Sequence, residues 1–98
     1  MFRTKNSFLY KEKFREDYIS LSEEGANYLI SKKVKAVGID YLSIGNREVH
    51  HSLLVNDIII YEGLNLGHVE PDYYIFVGFP LKILRSEGSP IRAVLIKE

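Results

Sequence analysis

Three histidines and a few carboxylates are the side chains best suited to chemistry in this chain. His50 and His51 are adjacent, and His68 lies further on. Asp40 directly follows the apolar run Val37-Gly38-Ile39, and Glu62 directly follows Ile58-Ile59-Ile60-Tyr61. A charge at the end of a buried strand is costly unless it is paired or bound to a cation. The C-terminal ends of strands in an α/β sheet are also where ligands gather. Imidazole and carboxylate together serve as donors to a metal or as a proton-transfer pair. His50 falls in the first turns of an expected helix, so helix, loop and strand could carry it towards Glu62. The other reading is a capping Asp40, a solvent-facing Glu62 and three surface histidines. Spacing alone leaves both open. Cysteine is absent, which removes disulfides, thiolate ligands and cysteine nucleophiles together.

The elements that must position these groups follow from periodicity. Ser22 is a good N-cap, and Glu23 and Glu24 fall where the helix dipole favours acids. Ala26, Leu29, Ile30 and Lys33 then recur at helical spacing, which predicts the main helix over 22–33. The β-branched run that follows predicts a strand over 36–39. A turn at Gly45-Asn46 leads into a shorter helix over 48–55, which Asn56-Asp57 ends. Further strands are expected at 58–61, 73–77 and 93–96, with the last two separated by a Gly88-Ser89-Pro90 turn. A helix feeding a mostly apolar strand after a brief turn is a crossover-type unit. The expected class is α/β, with a mixed sheet, one main helix and one short one.

Composition bounds the rest. The 98 residues, 46% hydrophobic and 27% charged, match an ordered globular chain and are read as a single domain over 1–98. Lys+Arg and Asp+Glu both total 13, so there is no basic excess to neutralise phosphates, and no nucleic-acid partner is expected. The first eighteen residues do interleave Phe2, Phe8, Tyr10, Phe14 and Tyr18 with Lys5, Lys11, Lys13 and Arg15. Glu12, Glu16 and Asp17 in the same run favour a charged, mobile loop with a few anchoring rings. No apolar run approaches the roughly 20 residues that span a bilayer. The N-terminal cations precede no hydrophobic stretch, so the expectation is a cytoplasmic protein with no signal peptide and no membrane partner.

Five motifs stand in order along the chain. They are Gly38-Ile39-Asp40-x-x-Ser43, His50-x-x-Leu53-Leu54, Ile60-Tyr61-Glu62-Gly63-Leu64, Pro80-Leu81-Lys82 and Gly88-Ser89-Pro90-Ile91-Arg92-Ala93. No single one is specific. In this order they resemble the C-terminal half of the cyclase family of metal-dependent hydrolases, which includes bacterial kynurenine formamidase and isatin hydrolase. Phe2-Arg3-Thr4 also resembles the family's central Leu-Arg-Thr strand, so the resemblance spans essentially the whole chain. It implies part of a swivelling β/β/α fold, and hydrolysis of amide or cyclic amide bonds in a small-molecule substrate at a zinc or manganese centre. It implies that His50 and Glu62, twelve positions apart as in the family, are metal ligands. Asp40 and Ser43 are implied to shape the substrate pocket, while Gly88-Ser89-Pro90 and Arg92 are implied to be structural.

One departure qualifies the resemblance. The family's earlier motif, His-x-Gly-Thr-His-x-Asp-x-Pro-x-His, supplies most of the ligands and the catalytic histidine, and this sequence lacks it. His50 and His51 are adjacent, so their side chains diverge too far to replace an i, i+4 pair on one ion. A catalytic zinc usually takes three protein ligands and a water, whereas two are found here. The expectation is therefore half an active site. The chain carries no catalytic residue of its own, is inactive alone, and is completed by a separately encoded N-terminal half. The alternative is a catalytically inactive, self-associating binding or assembly module. Self-association, most simply as a homodimer, is expected on either reading, because half of a larger fold leaves sheet edges and apolar faces uncovered.

Overall fold

The computed structural model describes residues 1–9 and 12–98; Tyr10 and Lys11 of the N-terminal aromatic–basic run lie outside the described residues. Ser22 opens α1 (Glu23–Ser31) as expected, its hydroxyl accepting the Gly25 N–H at 3.0 Å. The helix stops two residues short of the predicted end because Lys33 takes a left-handed φ of 55°. Lys33 N–H then reaches Ile30 C=O and Val34 N–H reaches Leu29 C=O, the two bonds of a Schellman stop.

Strand β1 (Ala36–Gly38) and strand β2 (Ile59–Tyr61) pair in parallel, in the register Ala36↔Ile59 to Gly38↔Tyr61. Helix α2 (Arg47–Val55) is the crossover between them, capped by the Asn46 side chain, which accepts the Val49 N–H at 2.9 Å. Phe2 adds a parallel bridge to Ile39 on the other edge of β1. The core is where the two helices meet these strands. Ala26 from α1 and Val49 and Leu53 from α2 pack with Val37, Ile39, Ile44 and Ile58.

Strands β3 (Ile75–Pro80) and β4 (Ile91–Ile96) form a separate antiparallel pair, in the register Ile75↔Ile96 to Pro80↔Ile91. Both reach closer to their connecting turn than periodicity predicts, since Gly78 and Pro80 do not break β3. Pro80 is the strand's last residue and lies in a two-stranded pair, where a missing N–H is tolerated. A Cβ at Gly78 would stand 2.8 Å from the Phe76 ring, so the glycine makes room for it. That ring packs edge-on against Tyr61 with centroids 4.7 Å apart, joining the hairpin to β2.

The N-terminal stretch is not the loosely anchored loop that its composition suggests. Lys5–Phe8 forms a 3-10 turn, and the buried Asn6 side chain binds both the N–H and the C=O of Ile19, at 2.8 and 2.7 Å. Tyr18 and Phe14 pack on the fully buried ring of Tyr41, with centroids at 4.9 and 5.6 Å. Among the described residues, no helix is long and apolar enough to cross a membrane.

Candidate functional site

The parallel strand end and the start of α2 bring the two expected ligands together. Glu62 follows β2, and its Oε1 lies 2.8 Å from His50 Nε2 in the first turns of α2. The other ring nitrogen is also held: His50 Nδ1–H donates to the Asn46 carbonyl at 2.9 Å. Glu62 Oε1 also accepts the backbone N–H of Ile44 at 2.8 Å. A carbonyl on one side of the ring and a carboxylate on the other both favour N–H donors, and so favour the protonated ring. Partial burial opposes that charge. The Asn46 carbonyl and the Glu62 carboxylate outweigh the burial and raise the His50 pKa above its ordinary value.

A pH signature follows, with a definite sign. A pKa raised on folding contributes stability below the unfolded value, near 6.5, and loses it as pH rises through the folded value. The Glu62→Gln chain keeps an acceptor for Ile44 but loses the charge. Its thermal midpoint is expected to lie below wild type near pH 6, with the gap narrowing by about pH 9. Thermal melts at several pH values check this, and a gap that widens with pH would contradict it.

The other expected residues lie elsewhere. Asp40 is fully buried and accepts the N–H and hydroxyl of Thr4, at 2.7 and 2.8 Å, and the Ser7 hydroxyl. Ser43 donates to the Gly45 carbonyl at 2.9 Å. A cleft of about 1010 Å3 opens beside His50 and Glu62, and Asp40 and Ser43 are outside its lining. Ser89, Pro90 and Arg92 do line it, although the sequence suggests only a turn for them. Their placement comes from the β3–β4 register, which no local pattern announces. His51 and His68 are exposed.

A divalent metal of the zinc type takes imidazole nitrogen and carboxylate oxygen. His50 and Glu62 fit that chemistry. The Nδ1–H bond to Asn46 fixes the ring so that Nε2 is the free donor once its proton leaves, the usual outer-shell arrangement of a ligating histidine. Among the described residues, no group of three or more His, Asp or Glu side chains converges to hold an ion. The donor set within this chain is right in kind and short in number.

No family model matches the chain. Cyclase-like protein 3 of Oryza sativa subsp. japonica is 41% identical over 106 residues, which cover 99% of this chain and 39% of that protein. Kynurenine formamidase of Bordetella avium is 34% identical over 85 residues, covering 82% of this chain and 41% of its own length. A solved structure described as a predicted metal-dependent hydrolase from Bacillus stearothermophilus superposes with a TM-score of 0.86 at 36% identity. That match takes in 95% of this chain and 46% of the other. The chain thus spans less than half the length of these relatives. Sequence and backbone agree along nearly all of its residues, and the chain corresponds to one part of the cyclase-like proteins that it matches.

Proposed function

We propose that this chain contributes His50 and Glu62 to a metal site whose remaining donors come from another polypeptide. The completed assembly is a metal-dependent amidohydrolase that opens an amide or cyclic amide bond in a small molecule. Zinc or manganese is the metal. When bound, such an ion polarises a carbonyl and makes water a nucleophile at neutral pH. The chain's own task is to hold: Glu62 presents a carboxylate fixed by Ile44 N–H, and His50 presents Nε2 with its ring fixed by Asn46. No residue of this chain is assigned the proton transfer. The single observation behind the reading is the 2.8 Å approach of His50 Nε2 to Glu62 Oε1 in the lining of a cleft. The names of the relatives support the reaction class.

The test compares the 98-residue chain alone with the same chain joined to the part of a cyclase-like relative that it does not match. Zinc titration is expected to give weak binding and no formamide hydrolysis for the chain alone, and one tightly held ion per completed assembly. Hydrolysis by the isolated chain that survives a chelator would overturn the reading.

A second reading, a non-catalytic module that self-associates as a homodimer, draws on the apolar surface of the hairpin region. Tyr73, Phe79 and Leu84 are 96%, 78% and 86% exposed. It requires a stable dimer of the chain alone in sedimentation and no ion in the completed assembly.

A further inference from the structure

Residues 40–46 form a saddle that touches both site residues through backbone atoms. Ile44 N–H donates to Glu62 Oε1 at 2.8 Å, and the Asn46 carbonyl accepts from His50 Nδ1 at 2.9 Å. Residues from 1–9 and 12–22 also hold the saddle. At its front end, Asp40 accepts the Thr4 N–H and hydroxyl at 2.7 and 2.8 Å and the Ser7 hydroxyl. Next to it, the Tyr41 hydroxyl accepts the Arg15 N–H at 2.8 Å. In its middle, the Ile44 carbonyl accepts the Leu21 N–H at 2.8 Å. A Cβ at Gly45 would stand 3.0 Å from the Leu21 carbonyl oxygen and 3.1 Å from a Val49 methyl, so a larger residue there would push its neighbours by a few tenths of an ångström.

Three donors on one fully enclosed carboxylate define its position far more tightly than burial alone would. Two of them come from the hydroxyls of Thr4 and Ser7. Thr4 is itself fixed, since its Oγ1 accepts the Asn6 N–H at 2.9 Å and Asn6 is tied to Ile19. The chain of bonds therefore runs from Asn6 through Thr4 and Asp40 into the saddle, and from the saddle to Glu62 and His50.

We propose that residues 1–9 and 12–22 act as a strap that positions the His50–Glu62 pair, and that Thr4, Ser7 and Asp40 are its positioning residues. The use of the pair for metal rests on the function proposed above; the strap's hold on the pair does not. Outer-shell partners of a metal ligand are commonly worth 10–100-fold in affinity. Here the outer shell is a stretch of backbone, and a side-chain clamp 33–36 residues earlier in the chain sets its position.

The test uses the whole 98-residue chain and three variants: Ser7→Ala, Thr4→Val and, as the conservative control, Thr4→Ser. The first readout is the Ile44 amide and the His50 ring signals in NMR spectra of the metal-free chain. Glu62→Gln identifies the part of the Ile44 shift that the carboxylate causes. Ser7→Ala and Thr4→Val are expected to move both sets of signals, Thr4→Ser to restore them, and the amides of Val77 and Val94 in the hairpin to stay in place. Ser7→Ala leaves two of the three bonds to Asp40 and serves alone if Thr4→Val does not fold. The second readout is zinc affinity in the completed assembly, expected to fall about 10-fold for Ser7→Ala and to be unchanged for Thr4→Ser. Folded Ser7→Ala and Thr4→Val chains with unmoved Ile44 and His50 signals would overturn the strap. Moved signals in an assembly whose wild type holds no zinc would keep the strap and remove the metal reading.

Discussion

In the completed assembly, His50→Ala is expected to lower zinc affinity by at least about 100-fold, and Glu62→Ala by a comparable factor. Losing an outer-shell partner costs 10–100-fold, so losing a donor that touches the ion should cost no less than the upper end. Each variant leaves its former partner in place. Without Glu62, His50 keeps only the Asn46 carbonyl; without His50, Glu62 keeps only the Ile44 N–H. Neither remaining side chain can reach a second donor within this chain, because no third His, Asp or Glu converges on the pair among the described residues. His68→Ala is the matched control. That side chain is exposed and takes no part in the hydrogen bonds described for the pair, so its loss is expected to leave affinity unchanged within about 2-fold. Competition against a fluorescent zinc chelator reads all three. An affinity loss for His68→Ala equal to that for His50→Ala would remove the assignment.

The second large effect is on stability, at Tyr41. Its ring is completely buried, Tyr18 stacks on it, and Phe14 packs at its side. Truncating a buried aromatic costs about 3–5 kcal/mol, from lost transfer free energy and the cavity left behind. Tyr41→Ala is expected to fall in that range and to loosen residues 14–18 together with the saddle. Tyr41→Phe keeps the ring and removes only the acceptor for the Arg15 N–H, so about 1 kcal/mol is expected. Urea unfolding of the two variants separates ring from hydroxyl. Equal losses would show that the hydroxyl bond, and not the aromatic packing, holds the segment.

The approach of the two candidate residues was legible in the sequence because their side chains stand where local rules put them. Glu62 ends an apolar run, and His50 follows a cap-and-turn signal at Gly45-Asn46, so a crossover helix between parallel strands brings them together. The supports were not legible. Ile44 and Asn46 act through a backbone N–H and a backbone C=O, which every residue possesses, and no residue type marks that use. Asp40 was conspicuous as a charge after Ile39, yet its partners Thr4 and Ser7 lie 36 and 33 positions earlier, beyond any periodic signal. Composition misread the N-terminal stretch for a similar reason. Its charges suggested solvent, while one buried asparagine, Asn6, ties its two ends together. The boundary errors have local causes. Lys33 adopts a left-handed turn that usually signals glycine or asparagine, and Pro80 ends a strand in a two-stranded pair where proline costs little.

The central claim is that His50 and Glu62 hold one ion together, and anomalous diffraction at the zinc edge from crystals of the completed assembly tests it most directly. The account predicts one strong peak about 2.0–2.2 Å from both His50 Nε2 and a Glu62 carboxylate oxygen, with the pair's own 2.8 Å bond replaced by the two metal contacts. A strong peak coordinated by other residues, with the His50–Glu62 bond left intact, would contradict it.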